Sequence, residues 1–380
     1  MKTVQLALRL LKNALRFQYL RHTGKPGKPQ AVSLEITHDC VARCIMCNIW
    51  KISSNVPNLT VPQWFEILSC ELLNDIRELD ITGGEPFIRG DLIDLFQGIC
   101  DLKSGYFPDL KSVAITTNGL LPDRVVAAVN KILPALQKQN IDLVVVCALD
   151  AVGDLHDRIR NFPKAWSKVN NTIDALCRLR EKFSNLIVGV KTTILPLNID
   201  ELGGIASYAE ERGLFTIISP CIITEGRYLN PDLAGELSFS EQGIGKMIDF
   251  FAGDRFQWSF HGQSLIDFFK TGSMKKPCSC GFNYFFVRSN GEMHLCPLIK
   301  ESVGNITSMG VSDLFFSDRA NGIRKSIGRL PQCRECTEPG LERYSLPFEG
   351  LQYLKMLFRL GRSDFMRLHR HMGMDKYLNI

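Results

Sequence analysis

The sequence lacks several features that would assign its class at once. No apolar run in its 380 residues approaches the roughly 20 that a helix needs to cross a bilayer. No internal repeat of fixed period or low-complexity tract is present, which argues against solenoid and fibrous architectures. No compact apolar stretch with a small-residue cleavage site lies near its first residues, so we expect no signal peptide and a cytoplasmic protein.

Acidic residues are missing from the start of the chain. None precedes Glu35, whereas seven bases do. The rest of the chain is slightly acidic, so the net charge of +5 is a local feature, and we expect no nucleic-acid partner. The seven bases are Lys2, Arg9, Lys12, Arg16, Arg21, Lys25 and Lys28.

Both ends of the chain are predicted to be basic amphipathic helices, over residues 1–22 and 350–371. Two interpretations are open. The helices pack on the rest of the fold with a solvated basic face, or they contact the anionic inner face of a membrane peripherally. The second would suit a lipid or lipid-linked substrate.

Cysteine, in contrast, is abundant, with 13 residues. An odd number in tight clusters, without an export signal, fits poorly with a disulfide framework. Clustered cysteines in a reducing compartment more often bind metal or carry out redox chemistry.

Strand-like and helix-like segments alternate after residue 30, which predicts a parallel sheet. We favour a partial (β/α)6 barrel, with an open doubly wound sheet as the alternative. Asn290-Gly291 between short apolar segments predicts a later hairpin. The predicted barrel strands are Ala31–Thr37, Arg77–Thr82, Lys111–Thr117, Ile141–Leu149, Leu186–Ile194 and Phe215–Ser219.

Four segments are expected along the chain. Residues 1–30 form the basic helix and a linker, and residues 31–225 form the barrel. Residues 226–340 form a linker and a small cysteine-rich module, and residues 341–380 form a basic helical tail.

The first cysteine cluster directly follows the first predicted strand, with Cys40, Cys44 and Cys47 spaced C-x3-C-x2-C. Three thiolates can hold three irons of a 4Fe–4S cluster, whose full ligation takes four. One iron is then open, as a reactive metal site requires. The alternative is a zinc loop with a fourth ligand such as His38.

This spacing resembles the signature of radical S-adenosylmethionine (SAM) enzymes. Three further motifs of that family follow in order at successive strand ends. They are Gly83-Gly84-Glu85-Pro86, Thr116-Thr117-Asn118-Gly119, and Leu149-Asp150 followed by His156-Asp157-Arg158-Ile159-Arg160.

The resemblance implies that a 4Fe–4S cluster binds SAM and cleaves it reductively, and that the resulting 5′-deoxyadenosyl radical abstracts hydrogen from an organic substrate. It implies SAM contacts from Gly83, Gly84, Glu85, Pro86, Asn118, Asp150 and Arg160. Arg160 would hold the SAM carboxylate, whereas Asp150 would bind the ribose or only cap a turn. A flavodoxin- or ferredoxin-type electron donor is also implied. The sequence departs from the family at Met46, where many members have an aromatic residue, and at Ala148, where many have serine.

A second cysteine cluster lies near the C-terminus, and four of its thiolates would complete a closed zinc or 4Fe–4S site. Its spacing resembles the auxiliary-cluster module called SPASM, or the shorter Twitch form. The single-cluster Twitch form fits better, because no cysteine follows Cys336. The resemblance implies an auxiliary 4Fe–4S cluster, with Cys280 favoured over Cys278 for the first ligand position because Gly281 follows it. The implied ligands are Cys280, Cys296, Cys333 and Cys336, with Cys278 as the alternative to Cys280.

Two function hypotheses follow. The first is a radical SAM enzyme acting on an unknown peptide, small-molecule or lipid-linked substrate. The second is a non-catalytic zinc-binding structural or interaction protein, which explains both cysteine clusters but not the Gly83–Pro86 motif.

Overall fold

The computed structural model describes residues 3–378. Met1, Lys2, Asn379 and Ile380, which belong to the predicted terminal helix and tail, lie outside the described residues. The strands are β1 (Ala31–Thr37), β2 (Glu78–Gly83), β3 (Ser112–Thr117), β4 (Asp142–Ala148), β5 (Leu186–Ile194), β6 (Phe215–Pro220), β7 (Tyr284–Val287), β8 (Glu292–His294) and β9 (Gly304–Asn305). The α-helices are α1 (Thr3–Thr23), α2 (Val61–Leu68), α3 (Leu92–Tyr106), α4 (Pro122–Lys138), α5 (Asp154–Arg160), α6 (Ala165–Arg180), α7 (Leu202–Glu211), α8 (Glu241–Ala252), α9 (Phe260–Thr271), α10 (Val311–Phe316), α11 (Asp318–Ser326), α12 (Glu342–Glu349) and α13 (Leu351–His371).

The strands form one sheet in the order β6-β5-β4-β3-β2-β1-β7-β8-β9. β1 to β6 are parallel, and each lies beside its successor in the chain. A doubly wound sheet reverses its strand order partway across, and these six strands do not. The predicted partial (β/α)6 barrel is therefore confirmed, and so is the later hairpin of β7 and β8.

Two compact units make up the chain. The barrel unit consists of Pro29–Ser238 and Phe285–Leu314. The helical unit consists of the described residues up to Lys28, Phe239–Tyr284, and the described residues from Phe315 onwards. The four segments predicted along the chain follow another division and stay a prediction.

The two faces of the barrel strands differ in chemistry. One face is apolar and buried, as shown by Leu34, Leu79 and Val113, because right-handed crossovers place the connecting helices against it. The opposite face carries polar side chains that include Asp80 and Lys191, both half-buried. This second face therefore carries the polar groups of the strands.

Aromatic packing holds the helical unit together around α1. The ring of Phe17 contacts the rings of Phe282 and Phe348 edge-on, with centroid distances of 5.4 and 5.6 Å. Near these rings, the backbone at Gly350 lies close to the backbone of α1. A Cβ on Gly350 would lie 2.2 Å from the Leu10 carbonyl oxygen. One side of the predicted N-terminal helix is thus buried within the helical unit.

The C-terminal predicted helix is interrupted. Gly361 has φ 71° and ψ 174° inside α13, so the helix consists of two pieces rather than the single helix that residues 350–371 predict. Glycine adopts this backbone conformation readily because it has no Cβ. Within residues 3–378, no helix is long and apolar enough to span a membrane.

We predict that Phe17→Ala lowers the free energy of unfolding by about 3–5 kcal/mol, because it leaves a cavity beside the rings of Phe282 and Phe348. Leu15→Ala on the same helix is the control, since Leu15 is 69% exposed and Phe17 only 2%. Urea denaturation measures both. Equal losses for the two variants would contradict the packing of α1 described here.

Candidate cofactor site

The cysteine loop starts at the carboxyl end of β1, where ligand sites of parallel barrels lie. Cys40, Cys44 and Cys47 are free and partly buried. Cys44 packs beside the buried side chains of Met46 and Ile159. Met46 thus fills an apolar space where many relatives have an aromatic ring, and a flexible thioether suits that role.

Gly83 and Gly84 are required by the backbone of this loop. A Cβ on Gly83 would lie 2.3 Å from the Thr37 carbonyl oxygen, and one on Gly84 would lie 2.2 Å from that of Asp39. Instead, Gly84 N–H donates to the Thr37 carbonyl at 2.8 Å, and Glu85 N–H donates to that of Asp39 at 2.8 Å. The end of β2 therefore fixes the course of the cysteine loop.

Glu85 is fully engaged by protein donors. Its Oε1 accepts from Phe87 N–H at 3.1 Å and from the Thr117 hydroxyl at 2.9 Å, and its Oε2 accepts from Asn118 N–H at 2.7 Å. Burial raises the pKa of Glu85 to about 7, although these hydrogen bonds act to lower it. Its structural role is to join the ends of β2 and β3, and its predicted SAM contact stays a prediction. Pro86 follows it as the first residue of a short 3-10 helix.

Two predicted site residues contact the cysteine sulfurs. Asn118 Nδ2 donates to Cys40 Sγ at 3.7 Å, and Arg160 Nη1 donates to Cys44 Sγ at 3.7 Å. Such donors stabilise negative charge on sulfur. The ends of β3 and α5 thus converge on the same loop as the end of β2.

Arg160 also forms a buried ion pair with Asp150, with 2.6 Å between Nη2 and Oδ2. Thr193 N–H donates to the other carboxylate oxygen at 2.9 Å. Burial raises the pKa of Asp150, and Arg160 opposes that shift. Among the described residues, Arg160 Nε and His156 Nε2 are buried without a hydrogen-bond partner. The structure thus places Asp150 and Arg160 together and leaves polar atoms beside them for a ligand.

Sequence reasoning missed two residues that hold the loop. Arg89 Nη1 donates to the Ile36 carbonyl at 2.6 Å, where the register of β1 shifts. Asn230 Nδ2 donates to the Met46 carbonyl at 2.9 Å. Neither lies in a recognisable motif, because each acts on backbone far away in the sequence.

The chemistry of the three thiols suits a bound cluster. Burial raises the pKa of Cys40 to about 12 and that of Cys47 to about 11, and it raises that of Cys44 as well. Buried thiolates therefore need a compensating positive charge, which iron and Arg160 would supply. Within the described residues, no three His, Cys, Asp or Glu side chains form a set that could hold a metal ion. A 4Fe–4S cluster does not need three of these side chains around one metal ion, because each cysteine binds a different iron.

The helical unit contains four cysteines of the second cluster, Cys278, Cys280, Cys333 and Cys336. A hydrogen bond with Cys280 lowers the pKa of Cys278 to about 7, and the charge of Lys276 assists this. Cys280 itself is buried. The choice between Cys278 and Cys280 as the first ligand stays a prediction. Cys296 belongs to the barrel unit, and its predicted ligand role stays a prediction.

Comparison with known families agrees with these motifs. The model of the radical SAM superfamily matches residues 34–209. The model of the SPASM iron–sulfur cluster-binding domain matches residues 278–337. The chain belongs to the radical SAM superfamily and carries a SPASM domain, which confirms the predicted family and disfavours the zinc-binding alternative.

Individual relatives are distant. The chain is 28% identical over 134 residues to a probable GTP 3′,8-cyclase of Methanococcus aeolicus, covering 30% of this chain and 43% of the relative. It is 21% identical over 300 residues to the antilisterial bacteriocin subtilosin biosynthesis protein AlbA of Bacillus subtilis, covering 76% of this chain and 60% of the relative. The chain thus spans less than two thirds of either relative.

Solved structures show the same fold. Native anSMEcpe with bound AdoMet superposes with a TM-score of 0.57 at 17% identity, covering 91% of this chain and 99% of that chain. SuiB of Streptococcus suis bound to S-adenosylmethionine superposes with a TM-score of 0.56 at 13% identity, covering 86% and 76%. At these identities the likeness supports the fold alone.

We predict that Gly84→Ala lowers the melting temperature and the iron content, because the added Cβ displaces the Asp39 carbonyl and with it the cysteine loop. Gly90→Ala is the matched control, since a Cβ there meets no atom within 4 Å. Thermal unfolding and iron analysis of anaerobically reconstituted protein measure both effects. Full iron loading in Gly84→Ala would show that the close approach is dispensable.

Proposed function

We propose that this protein is a radical SAM enzyme that modifies a peptide. When bound, the 4Fe–4S cluster and SAM supply one-electron reductive cleavage of the SAM carbon–sulfur bond, giving methionine and a 5′-deoxyadenosyl radical that takes hydrogen from the substrate. The observation that carries the proposal is the convergence of three cysteines, Asn118 and Arg160 at the carboxyl ends of the barrel strands.

The residues around the loop divide the work of binding. Cys40, Cys44 and Cys47 would hold the cluster through three of its irons, which would leave the fourth for SAM. Arg160 presents a buried guanidinium beside Cys44, where its fork can pair with the SAM carboxylate. Asp150 keeps that guanidinium in place through the 2.6 Å ion pair. The Gly83–Pro86 turn would present backbone groups to bound SAM.

An auxiliary 4Fe–4S cluster would be bound by cysteines of the SPASM domain, with Cys336 and either Cys280 or Cys278 among them. The match of residues 278–337 to the cluster-binding domain supports this. Such a cluster can take an electron from a substrate radical, which would allow a net two-electron oxidation. The electron that cleaves SAM would come from a reduced flavodoxin- or ferredoxin-type donor.

A peptide is the substrate that several relatives suggest. A SuiB structure contains the precursor peptide SuiA, and an anSMEcpe structure contains a peptide together with AdoMet. AlbA is named for bacteriocin biosynthesis. In this chain, the open sheet face has half-buried Asp80, Thr116, Lys191 and Thr193, whose polar atoms can bind the amides of an extended peptide.

Anaerobically reconstituted and dithionite-reduced protein is expected to convert SAM to 5′-deoxyadenosine, measured by mass spectrometry. The Cys40/Cys44/Cys47→Ala variant should form none, because it cannot hold the cluster. A fully loaded wild-type protein that binds SAM but never cleaves it, even with candidate peptides encoded beside its gene, would contradict the proposal.

The contribution of Arg160 to SAM binding can be measured separately, as the SAM affinity of the reconstituted protein. Arg160→Gln should weaken SAM binding roughly tenfold or more, the effect of losing a charged hydrogen-bond pair. Arg158→Gln is the control, since Arg158 is exposed on the same helix. Equal SAM affinities for the two variants would remove Arg160 from the binding site.

We also propose that α1 contacts an anionic membrane surface. Its buried side packs within the helical unit, but a second apolar stripe is 46–69% exposed. Lys12 and Arg16 lie exposed beside this stripe, and α1 has no acidic residue. An apolar stripe next to bases suits the headgroup region of anionic lipids. The stripe consists of Val4, Leu8, Leu11, Leu15 and Tyr19.

Flotation with phosphatidylglycerol vesicles is expected to carry the wild-type protein upward, and phosphatidylcholine vesicles should carry less. Leu15→Glu should abolish flotation, because it puts a charge in the apolar stripe. Gln18→Glu adds the same charge at an exposed polar position and should float. Wild-type protein that stays at the bottom with anionic vesicles would refute the membrane contact.

A further inference from the structure

A buried lysine joins the two cysteine segments of the helical unit. Lys276 precedes Cys278 by two residues, and its ammonium donates to the carbonyl of Glu338, which follows Cys336 by two, at 2.6 Å. The backbone joins the same segments, because Met274 N–H donates to the Arg334 carbonyl at 2.6 Å. A positive charge is thus fixed between the two stretches that carry the cysteines.

Lys276 forms a buried ion pair. Its ammonium lies 3.2 Å from Glu342 Oε1, and the side chains of Lys276 and Glu342 are 6% and 1% exposed. Glu342 Oε1 also lies 2.9 Å from Nδ1 of His261. Buried charges are weakly screened, so they act strongly on neighbouring groups.

The position of Lys276 brings its charge close to both cysteine segments. It lies two residues from Cys278, and its bond to the Glu338 carbonyl holds the ammonium near Cys336, which lies two residues before Glu338. The pKa of Cys278 is lowered first by the hydrogen bond with Cys280 and also by Lys276, which agrees with this geometry.

We propose that Lys276 raises the reduction potential of the auxiliary cluster, and that Glu342 lowers it. This rests on the proposed function, because it requires a cluster on the SPASM cysteines. Reduction adds one negative charge to a cluster, so a fixed cation beside its sulfur ligands favours the reduced state and a fixed anion disfavours it. Lys276 is a positioning residue in this account, since it acts through the cysteines and touches no substrate.

The experiment uses the full chain with Cys40, Cys44 and Cys47 changed to Ala, which leaves the auxiliary cluster as the only one. Iron and sulfide analysis first establishes that this cluster is present. Its midpoint potential is then measured by dithionite titration followed by electron paramagnetic resonance. Lys276→Met should shift the potential to more negative values, and Glu342→Gln should shift it to more positive values.

Two variants control for changes in packing. Lys275→Met alters the exposed neighbouring lysine and should leave the potential unchanged. Lys276→Arg keeps the charge and should restore most of the wild-type potential. A purely structural lysine would give no shifts of opposite sign in the two charge-removing variants.

The outcomes are distinguishable. A loaded cluster whose potential moves in neither Lys276→Met nor Glu342→Gln overturns the inference and leaves the proposed function intact. If Lys276→Met binds no iron, an unchanged potential in Glu342→Gln overturns the inference by itself. If the Cys40/Cys44/Cys47→Ala protein binds no cluster, the auxiliary part of the proposed function is refuted, and the inference with it.

Discussion

The close approach of two backbones at the carboxyl edge of the sheet is the constraint on which the site depends. The cysteine loop has little regular structure of its own, and its course is set by hydrogen bonds from the end of β2. Gly83 and Gly84 allow this because any side chain would overlap the loop carbonyls. In this chain the two glycines therefore determine the conformation of the cysteine loop even without a bound ligand.

Charge is the second constraint. Three thiols in an apolar environment resist ionisation, and the burial that raises their pKa would be relieved by iron and by the guanidinium of Arg160. Asp150 in turn holds Arg160, so the ends of β4 and α5 act as one unit with Cys44. The helical unit also has a buried cation near its cysteines, since Lys276 donates to the Glu338 carbonyl two residues after Cys336.

Much of this could be predicted from the sequence, because strand periodicity and short motifs report local structure. The bounds of β1 and β5 match the predicted ones. The contacts of Arg89 and Asn230 could not be predicted, since both residues act on distant backbone. The ion pair of Lys276 with Glu342 could not be predicted either, because the two residues are far apart in the sequence. Gly361 likewise breaks α13 without any change in its helical pattern.

The central claim is that the triad of Cys40, Cys44 and Cys47 leaves one iron open for SAM. Electron paramagnetic resonance of the reduced protein, recorded with and without SAM, tests it most directly. The account predicts that SAM changes the spectrum of the cluster on the triad, and that the change is absent when the three cysteines are replaced by Ala. An identical spectrum with and without saturating SAM, in protein with full iron content, would contradict it.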